Sequence, residues 1–385
     1  MKLALIADWL TTFGGAEHVI AAFHELWPTS PVLTTVADPR RLGPLSDADI
    51  RTCPFLQTVF RLTHRHQLLL PLMPRYIERM DLSGYDVILS SSHAVAKGVI
   101  VPPGSVHICY CHTPMRYAWE MEEDYLRDFR LRGPLRKRVK SELKTLRRWD
   151  LSNAKRVDRF IANSTETQRR IQRIYGRKSV VIPPPVDAKF FNQHLPATNH
   201  PTTPRLRGAG QQPATPYFLA LGRLVPYKRF DLLVELANRR RFRLILAGSG
   251  SDERRLRSLA GPTVTFLGRV PDEALPQLYA GAEALLFPQV EDAGIVPMEA
   301  QACGTPVIAY AKGGVLDVID PGKTGLLVPE QTVDAFAQAL GEFRIERFDR
   351  SSIRESARRF HVERFKERIS AEVEDAVQRR GSCMK

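Results

Sequence analysis

The run Pro183-Pro184-Pro185 separates two stretches with the same alternation, and no other feature narrows the fold as much. Consecutive prolines lack amide donors and push their predecessors out of the helical region, so neither a helix nor a central strand passes through them. Before them, LALIA, a helix at 15–27, VLTTVA, YDVILSSS, VHICYCH, a basic helix, RFIANS, a helix at 165–175 and SVVIP follow in order. After them come YFLALG, a helix at 227–240, FRLILAG, a helix at 253–259, VTFLG, a helix at 272–282, ALLFP, a helix beginning near Gly294, PVIAYA and GLLVP. This order predicts α/β architecture, with mainly parallel sheets covered by helices on both faces. A chain of 385 residues is long enough for two such domains, each with its own core. The expected division is 1–182, a Rossmann-like N-terminal domain, and 183–350, a Rossmann-like C-terminal domain. A charged helical stretch, 351–385, is too long for the second core and is expected to pack back on the first domain. Residues 195–216, rich in Pro, Thr, Gly and Gln, have a loop composition.

The net charge of +14 is concentrated, because 126–159 holds 13 Lys or Arg against 4 Asp or Glu. Within it Leu135, Val139, Leu143, Leu146 and Trp149 recur at intervals of three and four, which makes an amphipathic helix with a basic exposed side. That side suits anionic lipid or nucleic acid, or only solvent. Residues 51–80 set Phe55, Phe60, Leu68, Leu70, Met73 and Tyr76 among Arg61, Arg65, Arg75 and Arg79, with Pro71 and Pro74 interrupting any long helix. Such a segment either dips into a membrane surface or packs on its own domain. No apolar run of the ~18 residues that span a bilayer occurs. MKLALIAD is followed at once by TTFGGAEH, so it reads as a first strand rather than a signal peptide, and the expected location is cytoplasmic. Five cysteines, Cys53, Cys109, Cys111, Cys303 and Cys383, show neither disulfide pairing nor zinc-ligand spacing.

Ligands of open α/β sheets bind beyond the carboxyl ends of strands, so the loops that follow strands hold the candidates. After the first strand, Gly14-Gly15 precedes Glu17 at a helix start, where a phosphate can approach the backbone. After VHICYC comes His112-Thr113-Pro114, with Tyr117 and Trp119 close behind. After YFLALG comes Arg223, then Lys228 and Arg229, a fork and a point charge suited to adjacent phosphates. The stretch 287–308, FPQVEDAGIVPMEAQACGTPVI, holds Glu291 and Glu299 eight residues apart, the first in a loop after an apolar strand and the second in the helix that begins near Gly294. Eight helical residues span roughly 12 Å and bring both side chains to similar azimuths. Between them, the amides of Gly294, Ile295 and Val296 lie at the positive end of a helix, a place for a diphosphate. The alternative is a capped helix with two surface glutamates.

GRLVPYKRFDLLVE, the Glu291-to-Glu299 stretch with its EAQACGTPVIA continuation, His112-Thr113-Pro114 and Gly14-Gly15 together resemble the retaining glycosyltransferases of family 4, which have the GT-B fold. SSSHAVAKGVI, CYCHTPMRYAW and EDAGIVPMEA look most like bacterial mannosyltransferases that use GDP-mannose to extend lipid-linked O-antigen or exopolysaccharide precursors. The resemblance implies two Rossmann-like domains facing across a cleft that holds the site. It implies that Arg223 and Lys228 hold the diphosphate and stabilise the leaving group, and that Glu299 binds the ribose hydroxyls. Glu291 would bind sugar hydroxyls, the amides of Gly294 to Val296 would complete the phosphate site, and the backbone near Val270 would face the base. His112 would lie near the reacting centre, Gly14 and Gly15 would approach the phosphate, and Glu17, Tyr117 and Trp119 would border the acceptor. Neither Glu17 nor His112 is read as a base, since the family's proposed mechanism is front-face, with the leaving phosphate helping to deprotonate the acceptor.

No metal or other cofactor is expected, and the sole DxD, Asp47-Ala48-Asp49, reads as surface. Ala293 stands where many relatives carry an aromatic residue, which leaves the pocket wall looser and the donor sugar less defined. The expected partners are a nucleotide-sugar donor, a lipid-linked or oligosaccharide acceptor and an anionic membrane surface at the inner face of the cell membrane, without nucleic acid. One alternative changes the donor to a UDP- or ADP-sugar. Another is a non-catalytic basic binding protein on the same scaffold, which salt-sensitive oligonucleotide binding surviving Glu299→Ala and Lys228→Ala would favour.

Overall fold

Apolar runs that are buried along their whole length build two all-parallel sheets. In the computed structural model, residues 1–120, 122, 123, 126, 133–192 and 216–383 are described. The chain divides into one unit of Met1–Pro185 with Glu363–Lys385 and a second of Val186–Val362. In the first unit β1 (Leu3–Ala7), β2 (Val32–Thr34), β3 (Ile50–Thr52), β4 (Val87–Ser92), β5 (Val106–Cys111), β6 (Arg159–Ala162) and β7 (Ser179–Val181) lie in the order β3-β2-β1-β4-β5-β6-β7. All of β1, β4 and β5 is buried, as expected of parallel strands covered on both faces. Register is continuous from Leu3 beside Val87 to Ala7 beside Ser91. The order therefore reverses between β1 and β4. The short β3 carries one apolar residue among Arg51 and Thr52, and its sequence gave no strand pattern.

The second unit repeats the plan with β8 (Phe218–Leu221), β9 (Leu244–Ala247), β10 (Val264–Gly268), β11 (Ala284–Phe287), β12 (Val307–Tyr310) and β13 (Gly325–Val328), ordered β10-β9-β8-β11-β12-β13. One core on this sheet joins Leu219, Leu285, Phe287, Met298 and Val307, and another joins Phe230, Leu233, Leu246, Leu286 and Phe336. Helices start where the sequence supplies caps: Ser164 Oγ accepts from the Thr167 amide before Thr165–Tyr175, and Gly176, at φ +65°, ends it. The helix expected at 227–240 is broken. A 3-10 turn, Pro226–Lys228, ends at Arg229 with φ +56°, and the helix proper is Phe230–Arg240. The helix expected at 272–282 is confined to Leu275–Ala280.

The C-terminal stretch also differs from expectation. It is not one element from 351 onward but a helix Arg350–Ala357, a 3-10 turn Arg358–Phe360 and a helix Val362–Cys383. The first two belong to the second unit. Buried Arg350 donates to the carbonyls of Ala280 and Ala282 at 2.9 and 2.8 Å, Phe360 lies in the core, and Val186 bonds to Phe360 and Val362 through the backbone. From Glu363 the helix packs on the first unit. Phe365 stacks on Phe23 with centroids 5.9 Å apart, Lys366 pairs with Glu25, and Arg159 pairs with Glu372 and Asp375.

The basic segment forms the helix Gly133–Ala154, while most of 126–132 and of the loop at 195–216 lies outside the described residues. Leu143 is buried, and Leu146 and Trp149 pack on the core that includes Met73 and Ile77. Beneath the helix, Lys97 forms an ion pair with Asp150, both fully buried, and Asp150 also accepts from Trp119 Nε1 and Tyr175 OH at 2.8 Å each.

Candidate active site

In the second unit the sheet order reverses between β8 and β11, which is where doubly wound sheets bind ligands. The loops leaving these two strands carry Arg223, Lys228 and Glu291. Lys228 Nζ lies 3.0 Å from Glu291 Oε1, and their side chains are 11% and 23% exposed. The turn that achieves this needs Gly222, which sits at φ +145° and where a Cβ would lie 3.1 Å from Lys228 Nζ. Arg223 is exposed and its Nη2 donates to Tyr227 OH at 3.3 Å. A buried ammonium beside a half-buried carboxylate leaves both ready to exchange partners for a ligand that carries anionic oxygens and hydroxyls.

Glu291 lies in the loop after β11 and Glu299 in the helix that Gly294 opens, as the stretch 287–308 led us to expect. The helix is Ile295–Ala302, so Glu291 lies in the preceding loop and only Glu299 is helical. What fixes Glu291 is a bridge to Gly313 and a 2.9 Å bond from the Gly314 amide to its carbonyl. A Cβ on Gly314 would sit 2.2 Å from the Asp292 carbonyl, so only glycine allows this approach. Sequence reasoning missed the Gly313-Gly314 pair, although two glycines just beyond PVIAYA were a visible signal. Gly294, at φ +79°, opens the helix without a side-chain cap, which leaves the amides of Ile295 and Val296 at its positive end. Val270 and Val296, partly buried, pack on the core that contains Ala293.

Glu299 Oε2 accepts a 2.7 Å hydrogen bond from Tyr279 OH. Burial raises its carboxyl, the Tyr279 bond and Lys189 oppose that only in part, and it is pushed up to about 7.

In the first unit the expected groups distribute differently. Gly14 precedes the helix Gly15–Leu26, and its amide donates to Glu17 Oε2 at 3.0 Å, the half of a capping box that glycine can make. That amide is thereby engaged within the helix start. Glu17 is buried, which raises its carboxyl. Gly15 is the first helical residue. His112 Nε2 lies 2.7 Å from Ser91 Oγ, and burial first, then the charge of His93, lowers its imidazole to about 3, so the ring is neutral. Trp119, expected on the acceptor side, donates its indole N–H to Asp150 and packs its ring, partly buried, against the core. Tyr117 packs on that same core. Sequence reasoning also missed Asp8 and His93, the first residues after β1 and β4, which meet at 2.9 Å.

Part of the basic surplus is paired: Arg147 with Glu122, and Arg136 and Lys140 with Glu123. Lys137, Lys144 and Arg148 remain exposed at intervals that share one helical face. Phe55, Leu62, Leu68 and Leu72 are exposed among Arg61, Arg65, Arg75 and Arg79. Asp47 is 80% exposed beside His24, and Asp49 pairs with Arg51. Among the described residues no group of three or more His, Cys, Asp or Glu could hold a metal ion, and no helix is long and apolar enough to cross a membrane. Cys53, Cys109, Cys111 and Cys303 are buried free thiols.

Residues 13–190 match the family "Glycosyltransferase Family 4" and residues 206–360 match "Glycosyl transferases group 1". A GDP-mannose-dependent monoacylated α-(1-6)-phosphatidylinositol monomannoside mannosyltransferase of Corynebacterium glutamicum is 34% identical over 225 residues, 54% of this chain and 58% of the relative. A D-inositol 3-phosphate glycosyltransferase of Kribbella flavida is 34% identical over 207 residues, 48% of this chain and 47% of the relative. The chain thus spans about half the length of the curated relatives it matches. Among solved structures, Anabaena HepE in complex with UDP-glucose superposes with a TM-score of 0.68 at 19% identity, covering 97% of this chain and 100% of that one. The two matched regions thus give this chain a family 4 and a group 1 glycosyltransferase domain, and its two parallel Rossmann-like sheets are those of the GT-B fold.

Proposed function

We propose that the protein is a retaining α-glycosyltransferase that moves a hexose, mannose from GDP-mannose, onto a lipid-linked saccharide in polysaccharide or glycan assembly. The observation that carries this reading is the 3.0 Å pair of Lys228 and Glu291 at the reversal point of the second sheet, beside the uncapped helix start at Gly294. On binding, the diphosphate takes Lys228 Nζ, Arg223 and the amides of Ile295 and Val296, and frees Glu291 to accept hydrogen bonds from sugar hydroxyls. These cationic and N–H groups stabilise the negative charge that grows on the departing nucleoside diphosphate, so metal is not required. Glu299 accepts from the ribose hydroxyls and Val270 borders the base. His112, neutral and oriented by Ser91, meets the sugar near the reacting centre.

The donor follows from the motif resemblance and from the GDP-mannose dependence of the matched C. glutamicum relative. The exposed basic face of the helix Gly133–Ala154 and the apolar residues Phe55, Leu62, Leu68 and Leu72 serve contact with an anionic membrane surface on the cytoplasmic side. A second reading, an inositol phosphate acceptor, is favoured by the equal identity to a D-inositol 3-phosphate glycosyltransferase.

The test is acceptor-free hydrolysis of GDP-mannose, UDP-glucose, UDP-N-acetylglucosamine and an ADP-sugar, with chelator present, by wild type, Lys228→Ala and Glu291→Ala. Release of GDP alone, lost in both variants, supports donor, site and metal independence together. Release of UDP or ADP instead moves the donor. No release and no nucleotide binding, with salt-sensitive oligonucleotide binding in all three proteins, favours the non-catalytic reading.

A further inference from the structure

Glu299 leans on one neighbour, and that neighbour is itself fixed. Tyr279, on the helix Leu275–Ala280, is fully buried in the core of the second unit that also holds Leu219, Phe287 and Met298, with its ring 6.0 Å from that of Phe190 between centroids. Its carbonyl accepts the Thr305 hydroxyl at 2.7 Å and the Ala282 amide at 2.9 Å. Ring and backbone are thus held, and the phenol oxygen has one place. Its hydroxyl donates to Glu299 Oε2 at 2.7 Å. Burial first, then the charge of Glu299, push the phenol well above its ordinary range, so it stays a donor at any working pH.

The choice of partner sets Tyr279 apart. Among the described residues Tyr110 and Tyr217 are also fully buried, and both give their hydroxyls to backbone carbonyls, of Ile182 at 2.9 Å and of Leu278 at 2.7 Å. Those bonds satisfy a buried donor within the core. Tyr279 instead gives its hydroxyl to a carboxyl on a half-buried side chain, where burial opposes the charge. An uncharged acceptor would satisfy the phenol at less cost, so packing alone does not account for the acid. What the arrangement yields is an oriented acceptor, with Oε2 tied down and Oε1 left to a ligand. Other groups act on this carboxyl from a greater distance. Lys189 and Asp187 do so from the turn Ala188–Phe190 and its cap, Asp272 from the loop before the Tyr279 helix, and Cys303 from the end of the Glu299 helix, with Arg354 acting in turn on that thiol. Of these groups Tyr279 makes the hydrogen bond and does most to oppose burial.

We propose that Tyr279 is the positioning residue of the ribose site, holding Glu299 Oε2 so that Oε1 meets the hydroxyls of the nucleotide's ribose. The proposal rests on the glycosyltransferase reading above, in which Glu299 accepts from that ribose. Without the phenol hydroxyl the carboxyl loses its orientation and the bond that favours its charge, so less of it is carboxylate at neutral pH. The loss falls on the ribose hydroxyls and spares the diphosphate and the base.

The experiment measures, by calorimetry between pH 5.5 and 8.5, the affinity of the full chain for GDP, UDP and ADP and for their 2′,3′-dideoxy analogues, in wild type, Tyr279→Phe and Glu299→Gln, with melting temperatures alongside. Tyr279→Phe is expected to weaken the preferred nucleotide about 10-fold at pH 7 and to leave its dideoxy analogue bound as in wild type. It is also expected to move the rise of affinity with pH upward, a change that mere loss of packing does not produce. Glu299→Gln is expected to flatten that rise and to make a further Tyr279→Phe change silent. A ratio of nucleotide to dideoxy affinity within about twofold of wild type in Tyr279→Phe, or a pH profile that does not move, overturns the proposal and marks Tyr279 as a packing residue. Equal wild-type affinity for a nucleotide and its dideoxy analogue removes Glu299 from the ribose and overturns the proposal alone, since nucleotide binding then stands. Absence of binding of all three nucleotides by wild type overturns the glycosyltransferase reading and this role with it.

Discussion

The carboxyl ends of the two sheets share a topology and differ in charge. Beyond the second sheet stand Lys228, Arg223 and an uncapped helix start, with Glu291 held to the lysine at 3.0 Å. Beyond the first stand Asp8, Glu17, His66, His93 and His112, two buried carboxylates among imidazoles. The second arrangement presents donors and positive charge and suits an anion. The first turns its carboxylates inward, Asp8 onto the amides of His93 to Ala96 and Glu17 onto that of Gly14, and sets imidazoles beside them. The doubly wound plan therefore fixes where a ligand goes, and the residues at the reversal point fix what kind of ligand it is.

The comparison is broken most strongly by disrupting one unit and watching the other's function. Lys97→Ala leaves Asp150 buried without its cation and should destabilise the first unit by about 3–5 kcal/mol, read by chemical denaturation. Nucleotide affinity should not change, and a matching loss of nucleotide binding would contradict the division. Lys228→Ala should do the reverse. Acceptor-free donor hydrolysis should fall ~100- to 1000-fold, since a donor to the leaving group is lost, with the melting temperature nearly unchanged.

A smaller effect comes from Glu299. Its folded carboxyl, at about 7, lies above the ordinary value, so the folded state keeps a proton that the unfolded chain releases. Stability is thus greatest below the ordinary carboxylate range and declines as pH rises through about 7, by up to ~3 kcal/mol. Glu299→Gln should flatten that decline in denaturation curves. Nucleotide affinity should rise from pH 6 to 8 in wild type, as the carboxylate becomes an acceptor for ribose hydroxyls, and stay flat in the variant. Least of all, replacing Lys137, Lys144 and Arg148 by Gln should weaken pelleting with anionic vesicles by about 1 kcal/mol per charge at low salt, and leave donor hydrolysis intact.

The second site was more legible in the sequence than the first, for a physical reason. Arg223 and Lys228 lie in one loop, and Glu291 and Gly294 in another, so short motifs carry them. Asp8 and His93 are 85 residues apart, and only the pairing of β1 with β4 brings them together. The partner of the Trp119 indole was not readable either, because Asp150 lies 31 residues further on. The loop position of Glu291 was readable, but the bridge to Gly313 that holds the loop was not, because close backbone approach leaves no periodic trace. The strand and helix alternation was readable because buried parallel strands are continuous apolar runs. The break between Phe360 and Val362 was not, because Arg350 directs its segment to the second unit through two carbonyls that no sequence pattern announces.

The most direct measurement is hydrogen–deuterium exchange of the full chain with and without GDP-mannose. The account predicts slowed exchange at 222–229 and 290–297, where the amides beside Lys228 and at the start of the helix Ile295–Ala302 meet the diphosphate. Protection confined to the loops of the first unit, with those two segments unchanged, would contradict it.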